Sequence, residues 1–345
     1  MRVTRLVTGL ELAAVSSAAL ARGILRRLLR GPVRPGWSVR TELVRAVMYA
    51  TVMHSQRRGL RWLRDAQDLL PSTPPRSTQV AFEEVNAGGV PALWCTPSAH
   101  HESRTLVYFH GGGYVMGSVA GYRDLLGRLA AGSGARVLGI DYRLAPEHPF
   151  PAAQEDALRA TRWVLDQGAE PRKLALAGDS AGGALSVATL CALRDLGLPL
   201  PTCALLFCPW TDPLATGGSL ESNQDADFAH ASVLTKWLKL ALAGASAEDP
   251  RLRVVNAELL GLPPLHIQVG GAELLLDQVR DFADRARDAG VSVDLQVYPE
   301  MFHIFQVQAS LLPEGAAALQ DAFAFLRAKF DAADRQGKRV AIPRA

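Results

Sequence analysis

From about residue 104 onward the chain alternates short apolar runs with stretches of helical length. The runs are "TLVYFH", "ARVLGID", "KLALAG", "CALLFC", "LHIQVGG" and "VDLQVYP", and helical stretches lie near 121–132, 152–167, 182–196, 277–289 and 315–330. Runs apolar at consecutive positions suit strands buried on both faces, and a helix between two of them is a crossover connection. The alternation therefore predicts a mostly parallel sheet flanked by helices, an α/β fold. Two further β-type runs, "TQVAFEEV" and "VPALWC", come first and read as an antiparallel pair joined by a turn at Asn86–Gly89. Together they make eight strands.

Three segments lie outside this rhythm. Residues 1–70 read as helices, one near 3–29 and another near 39–65. "LLPSTPPRS" (Leu69–Ser77) then breaks the chain with three prolines. Residues 210–250 place a long polar loop and a helix between two strands and read as an insertion over the C-terminal edge of the sheet. The tail "DRQGKRVAIPRA" reads as loose. The expected division is an N-terminal helical cap segment, 1–75, and a catalytic domain, 76–345, carrying a cap insertion at about 210–250.

A chain of 345 residues can bury a large core, and 48% hydrophobic content argues against disorder. The net charge of +3 gives no sign of nucleic-acid binding, but it is unevenly spread. Residues 1–64 hold 13 Arg, no Lys and only Glu11 and Glu42 as acids, a net of +11, so the remainder is acidic. Leu6, Leu10, Ala14, Leu20, Ile24 and Leu28 fall near one helical face, with Arg22, Arg26, Arg27 and Arg30 elsewhere. Three readings stand: cap helices with arginines in water, a peripheral helix on an anionic membrane, and a cleaved signal suggested by Ala19-Leu20-Ala21. Glu11, Ser16 and Ser17 interrupt the apolar stretch that a membrane-spanning helix requires. Cys95, Cys191, Cys203 and Cys208 show no metal-ligand spacing and read as small core residues, which suits a cytoplasmic setting.

The seam between "KLALAG" and the next helix carries Gly178-Asp179-Ser180-Ala181-Gly182, a G-x-S-x-G nucleophile elbow. A serine on a sharp strand-to-helix turn needs small neighbours, and the helix behind it points N–H groups at the reacting oxygen. A second glycine cluster, His110-Gly111-Gly112-Gly113-Tyr114, follows the strand "TLVYF". Its backbone can turn several amides toward one point, as a developing oxyanion requires. A phosphate loop is the competing reading, but neither G-x-G-x-x-G nor a following Lys-Ser/Thr is present.

His110–Tyr114, "DYRLAPEHPFPAA" (Asp141–Ala153) and "GDSAGG" (Gly178–Gly183), in this order, resemble the bacterial hormone-sensitive-lipase family of α/β-hydrolases, over roughly residues 80–330. The resemblance implies a carboxylesterase with a mostly helical cap, for which residues 1–70 and 210–250 fill the expected slots. It implies oxyanion donors at Gly112, Gly113 and Ala181, with His110 bracing the loop. It implies that Asp141, Arg143 and Glu147 form a buried ionic network behind the site.

Ser180 needs a base. His303 in "YPEMFHIF" follows the last predicted strand, where the family carries its histidine; His266 reads as core, and His54, His100, His101 and His230 as surface. The family's acid lies in a D-P-L-x-D stretch, and here the corresponding residues are Glu273-Leu274-Leu275-Leu276-Asp277. The first position departs from Asp, so Glu273 is the expected acid and Asp277 the alternative, a cap on the next helix. The acyl pocket is expected to include Tyr114, Met116, Trp210 and Phe302. The reading is a serine hydrolase of short- to medium-chain acyl esters, lactones included, with a small-molecule substrate, no metal and no cofactor, as monomer or homodimer. The rivals are an amidase or peptidase, and a non-catalytic ligand-binding receptor of the same fold.

Overall fold

The structure is a computed structural model that describes residues 2–69 and 79–340. One eight-stranded sheet organises it. Its strands are β1 (Val80–Ala87), β2 (Val90–Pro97), β3 (Thr105–Phe109), β4 (Arg136–Ile140), β5 (Leu174–Asp179), β6 (Cys203–Phe207), β7 (Leu265–Gly270) and β8 (Val293–Tyr298). The spatial order is β1-β2-β4-β3-β5-β6-β7-β8. β2 pairs antiparallel with both β1 and β4, and every other pairing is parallel. This is the expected architecture, with β5 and its serine near the middle of the sheet.

Strand alternation feeds two cores. In β3, Leu106 and Tyr108 face one side while Val107 and Phe109 face the other. The first side is covered by α4 (Arg123–Ser133) and α10 (Pro313–Val340), through residues such as Leu126, Leu129, Leu326 and Phe330. The second is covered by α5 (Ala152–Asp166), α6 (Ala181–Asp195) and α9 (Leu276–Asp288). Every residue of β3, β5, β6 and β7 is buried. That burial on both faces is why these runs lack polar alternation.

The N-terminal segment forms α1 (Arg2–Arg30), α2 (Val39–Arg58) and α3 (Leu60–Leu69). The single helix expected near 39–65 is broken at Gly59, whose φ of 88° is a left-handed value that ends α2. The proline-rich boundary falls largely outside the described residues, which omit 70–78. The insertion contributes α7 (Ser219–Ser222) and α8 (Ala231–Leu242). The tail is not loose as far as Val340, because α10 runs on to that residue; positions 341–345 lie outside the described residues.

Helix α1 exposes apolar side chains as well as arginines. Thr8, Leu12 and Ala19 are its buried side chains, while Leu6, Leu10, Leu20, Ile24, Leu28 and Leu29 are exposed. The leucine-rich face points outward. Contrary to the interruption expected from Glu11, Ser16 and Ser17, the span Arg5–Arg30 is long and apolar enough to cross a membrane by length and composition. Arg26 and Arg27 both pair with the buried Glu42, whereas Arg22 and Arg30 make no ion pair among the described residues.

Candidate active site

The chain turns from β5 into α6 at Ser180, whose φ of 52° is a left-handed value for a residue with a side chain. Two neighbouring glycines permit the turn. A Cβ at Gly178 would strike the carbonyl of Gly182, and one at Gly182 would strike the carbonyls of Phe109 and His110. The turn is pinned by hydrogen bonds from Ser180 N to Phe207 O, 2.9 Å, and from Trp210 N to Ser180 O, 2.9 Å.

Ser180 Oγ stands 2.9 Å from His303 Nε2, and His303 Nδ1 stands 3.1 Å from Glu273 Oε1. The second oxygen of Glu273 accepts from Gly270 N at 2.8 Å. All three side chains are buried, Glu273 completely. They arrive from three loops at the C-terminal ends of β5, β7 and β8, so the parallel sheet brings together residues 93 and 30 positions apart in sequence. Burial by itself lowers the His303 pKa, but the carboxylates of Glu273, Asp227 and Asp179 together outweigh it, and the net shift is upward. Phe228 stacks on the imidazole, centroids 5.9 Å apart.

The His110–Gly113 loop lies against this turn. Gly112, with φ 115°, and Gly113, with φ 61°, use conformations that suit glycine. The N–H groups of Gly112, Gly113 and Ala181 have no hydrogen-bond partner among the described residues. His110 stacks on Tyr142 at 4.3 Å, and Tyr142 OH donates to His110 O at 2.7 Å. Asp179, which sequence reading left without a role, ties this loop to the elbow. Its buried carboxylate accepts from Gly111 N (2.9 Å), Tyr108 OH (2.8 Å) and Tyr122 OH (2.8 Å), and burial raises its pKa.

Asp277 is not beside the imidazole. Its Oδ2 accepts from Ser219 N at 2.8 Å, on the first turn of α9, which binds the insertion to the sheet. The expected network of Asp141, Arg143 and Glu147 does not form. Asp141 accepts from Val119 N, Arg143 pairs with Asp156 and Glu155, and Glu147 takes a two-pronged contact from Arg64, with Glu147 and much of Arg143 in solvent. Arg143 and Glu147 are satisfied by nearer charges on other elements, and Asp141 by a backbone N–H. His54 is half-buried against Trp62, 4.7 Å between centroids, rather than on the surface.

Of the expected pocket residues, Trp210 and Phe302 are buried and Met116 is half-buried beside Gly112. Phe302 packs edge-on against Trp37 and Phe228. Tyr114 lines a small cavity with Phe150, Gln154 and Leu252. Sequence reasoning missed Trp237 of α8, which packs over Gly113, and Phe228 over His303. Their only signal was aromatic character inside the inserted segment. The Cys208 thiol lies with Glu273 and His303, their ligand atoms all within 4.8 Å, the one such three-donor group among the described residues. Burial and the Glu273 charge push that thiol pKa well up, which opposes the thiolate a soft metal prefers.

Residues 106–307 match the family model described as the alpha/beta hydrolase fold. A solved esterase from the bacterial hormone-sensitive lipase family superposes with a TM-score of 0.81 at 39% identity, covering 86% of this chain and 99% of that one. The chain belongs to this family of α/β-hydrolases. The hydrolase is 43% identical over 244 residues to an acetyl-hydrolase of Streptomyces hygroscopicus, 70% of this chain and 81% of that one. It is 33% identical over 280 residues to carboxylesterase NlhH of Mycobacterium tuberculosis, 79% of this chain and 88% of that one. The enzyme is thus an esterase by family.

Proposed function

We propose that this esterase hydrolyses short- to medium-chain acyl esters through a covalent acyl-serine. The observation that carries the reading is the continuous hydrogen-bonded row Ser180–His303–Glu273, beside three unpartnered N–H groups. In it, Ser180 Oγ attacks the ester carbonyl as His303 Nε2 takes its proton. Glu273 holds the Nδ1–H tautomer and stabilises the imidazolium. The N–H groups of Gly112, Gly113 and Ala181 receive the oxyanion. His303 then protonates the departing alcohol, and a water activated by the same imidazole releases the acid. Lactones, as internal esters, suit the same steps. The relatives' names lean toward the short end, an acetyl-hydrolase among them. The crowding of Trp210, Phe228, Trp237 and Phe302 near the serine favours a short acyl group as well. The cap in this reading is residues 1–75 with the 210–250 insertion, which supply Trp37, Phe228 and Trp237.

The test is Ser180→Ala assayed on p-nitrophenyl esters of rising chain length, with the amide counterparts in parallel. Hydrolysis of esters only, lost in the variant, supports the reading. Turnover that survives in a variant free of contaminating esterase overturns it, and amide turnover matching ester turnover would favour the amidase.

A second reading concerns where the enzyme works. We propose that α1 rests on an anionic membrane surface, because its leucine-rich face is exposed and flanked by Arg22 and Arg30, which make no ion pair among the described residues. Each such charge near an anionic leaflet contributes about 1 kcal/mol. Co-sedimentation with phosphatidylserine vesicles at low salt, lost on changing Arg22 and Arg30 to Gln and Leu28 to Ser, would support it. No sedimentation at low salt would refute it.

A further inference from the structure

A second carboxylate lies buried beside the acid–base pair, and neither the motifs nor the proposed chemical steps use it. Asp227 comes from the insertion, between α7 and α8, and has no exposed surface. Its Oδ1 accepts from Phe228 N at 2.7 Å and from His303 N at 3.2 Å. Its Oδ2 accepts from Leu274 N at 2.7 Å. One side chain therefore grips the backbone of the base itself and of the residue directly after the acid. It makes no bond to the imidazole ring, so it does not compete with Glu273 for the role of acid.

The loop that carries Asp227 is held from the N-terminal segment. Arg45 of α2 donates through Nε to Asp227 O at 3.0 Å and through Nη2 to Asp225 O at 2.6 Å. Nearby, Arg34 Nη2 donates to Asn223 Oδ1 at 2.8 Å, and Asn223 Nδ2 donates to Glu273 O at 3.0 Å. On the base side, Gly36 N donates to the Glu300 carboxylate at 2.7 Å, three residues before His303, and Trp37 Nε1 donates to Glu300 O. Residues 34–45 thus reach both loops through main-chain and side-chain hydrogen bonds, which fix geometry more narrowly than apolar packing does.

We propose that Asp227 is a positioning residue, which locks the Glu273 and His303 loops at their working separation, sets a second negative charge beside the imidazolium, and is anchored by Arg45. This rests on the reading of Ser180, His303 and Glu273 as the reacting groups. The charged and titratable groups around it are consistent with both roles. His303 and Glu273 face it from the two loops, Arg45 from α2 and Asp225 from its own loop; Asp179 acts on the same imidazole from β5, and Cys208 faces Glu273 from the end of β6. Burial, with the nearby Glu273 charge, pushes the Asp227 carboxyl up to about 6, so it is ionised where an imidazole base works. Its negative charge is among those that raise the His303 pKa. The base acts when neutral, so kcat/KM rises with pH through that value. Removing the Asp227 charge must then move the acid limb to lower pH, even as it loosens the geometry.

The experiment compares Asp227→Asn and Asp227→Ser, two neutral replacements of different size, with the charge-retaining Asp227→Glu. The readouts are pH profiles of kcat and kcat/KM on p-nitrophenyl acetate, with thermal unfolding to select the neutral variant that folds. The expected result in the neutral variant is a fall in kcat on the order of 10²-fold, little change in KM, and an acid limb lower by about one unit. Asp227→Glu should lose rate but keep the wild-type limb. A folded neutral variant whose limb and kcat match the wild type overturns the proposal, and so does one that loses rate with its limb unmoved. Ser180→Ala, run alongside, separates the two levels. If it keeps turnover, the serine reading itself fails; if it is inactive while the neutral variant behaves as wild type, only the role of Asp227 fails.

Discussion

Replacing Glu273 by Gln removes a charge while keeping the shape of the side chain. The two oxygens of Glu273 serve two donors, Gly270 N at 2.8 Å and His303 Nδ1–H at 3.1 Å, in a fully buried site. A glutamine offers one oxygen and one NH₂. If the oxygen keeps Gly270 N, the NH₂ faces Nδ1 and drives the ring proton to Nε2, which can then no longer accept from Ser180 Oγ at 2.9 Å. If the oxygen keeps His303, a buried backbone N–H meets a donor, at a cost of about 1–3 kcal/mol. The first flip avoids that cost, so the wrong tautomer should dominate. Loss of the correct tautomer in a serine triad costs roughly 10⁴ in kcat, equivalent to about 5 kcal/mol of barrier. The imidazolium also loses its main partner, so the acid limb should move down in pH. The assay is kcat and kcat/KM against pH for Glu273→Gln and Asp277→Asn, with p-nitrophenyl acetate. Asp277 holds Ser219 N and sets a negative charge in the first turn of α9, so its variant should keep most of the activity and lose some stability. If Glu273→Gln stays within tenfold of wild type while Asp277→Asn collapses, the assignment of the acid is wrong.

Gly112→Ala places a Cβ against the Met116 carbonyl at a φ of 115°, so the oxyanion loop must shift; kcat should fall by roughly 10²–10³, the value of one oxyanion donor, and a wild-type kcat would refute that role. The raised His303 pKa puts the acid limb of kcat/KM above the ordinary histidine value of about 6.5, and a pH profile with its limb below that value would contradict the geometry. By the same shift, protonated His303 favours the folded state: its contribution is full below the ordinary value and is lost as pH rises through the folded-state value, which thermal unfolding across that range can follow. Across an ester series each buried CH₂ contributes about 0.8 kcal/mol until the pocket ends; rates should peak by about eight acyl carbons, and rates still rising at sixteen would point to an open groove instead.

Much of this protein is written locally. The apolar runs mark β3, β5, β6 and β7 because a strand buried on both faces has no polar alternation to hide it. The glycines around Ser180 and in the His110–Gly113 loop are legible for a related reason. Backbone that turns at positive φ, or passes another carbonyl closely, admits little else, so the constraint leaves its mark on the composition. The segment joining α2 and α3 was misread because Gly59 inside a helical pattern resembles a tolerated glycine until its φ is known. The ionic partners of Asp141, Arg143 and Glu147 were misread because charge pairing is decided by whichever residue arrives nearest, and Arg64 and Asp156 arrive from other elements. The outward face of α1 has the same pattern as an inward one; only the docking of Thr8, Leu12 and Ala19 distinguishes them. Asp227 shows the limit most clearly. Nothing in "NQDADFAHA" distinguishes its second aspartate from a solvated loop acid. Its position depends on three backbone N–H groups supplied by residues 228, 274 and 303. The sequence alone determined which groups could do the chemistry and where the backbone had to bend. The tertiary structure alone decided which groups meet, because a hydrogen bond between distant segments leaves no periodicity in either of them.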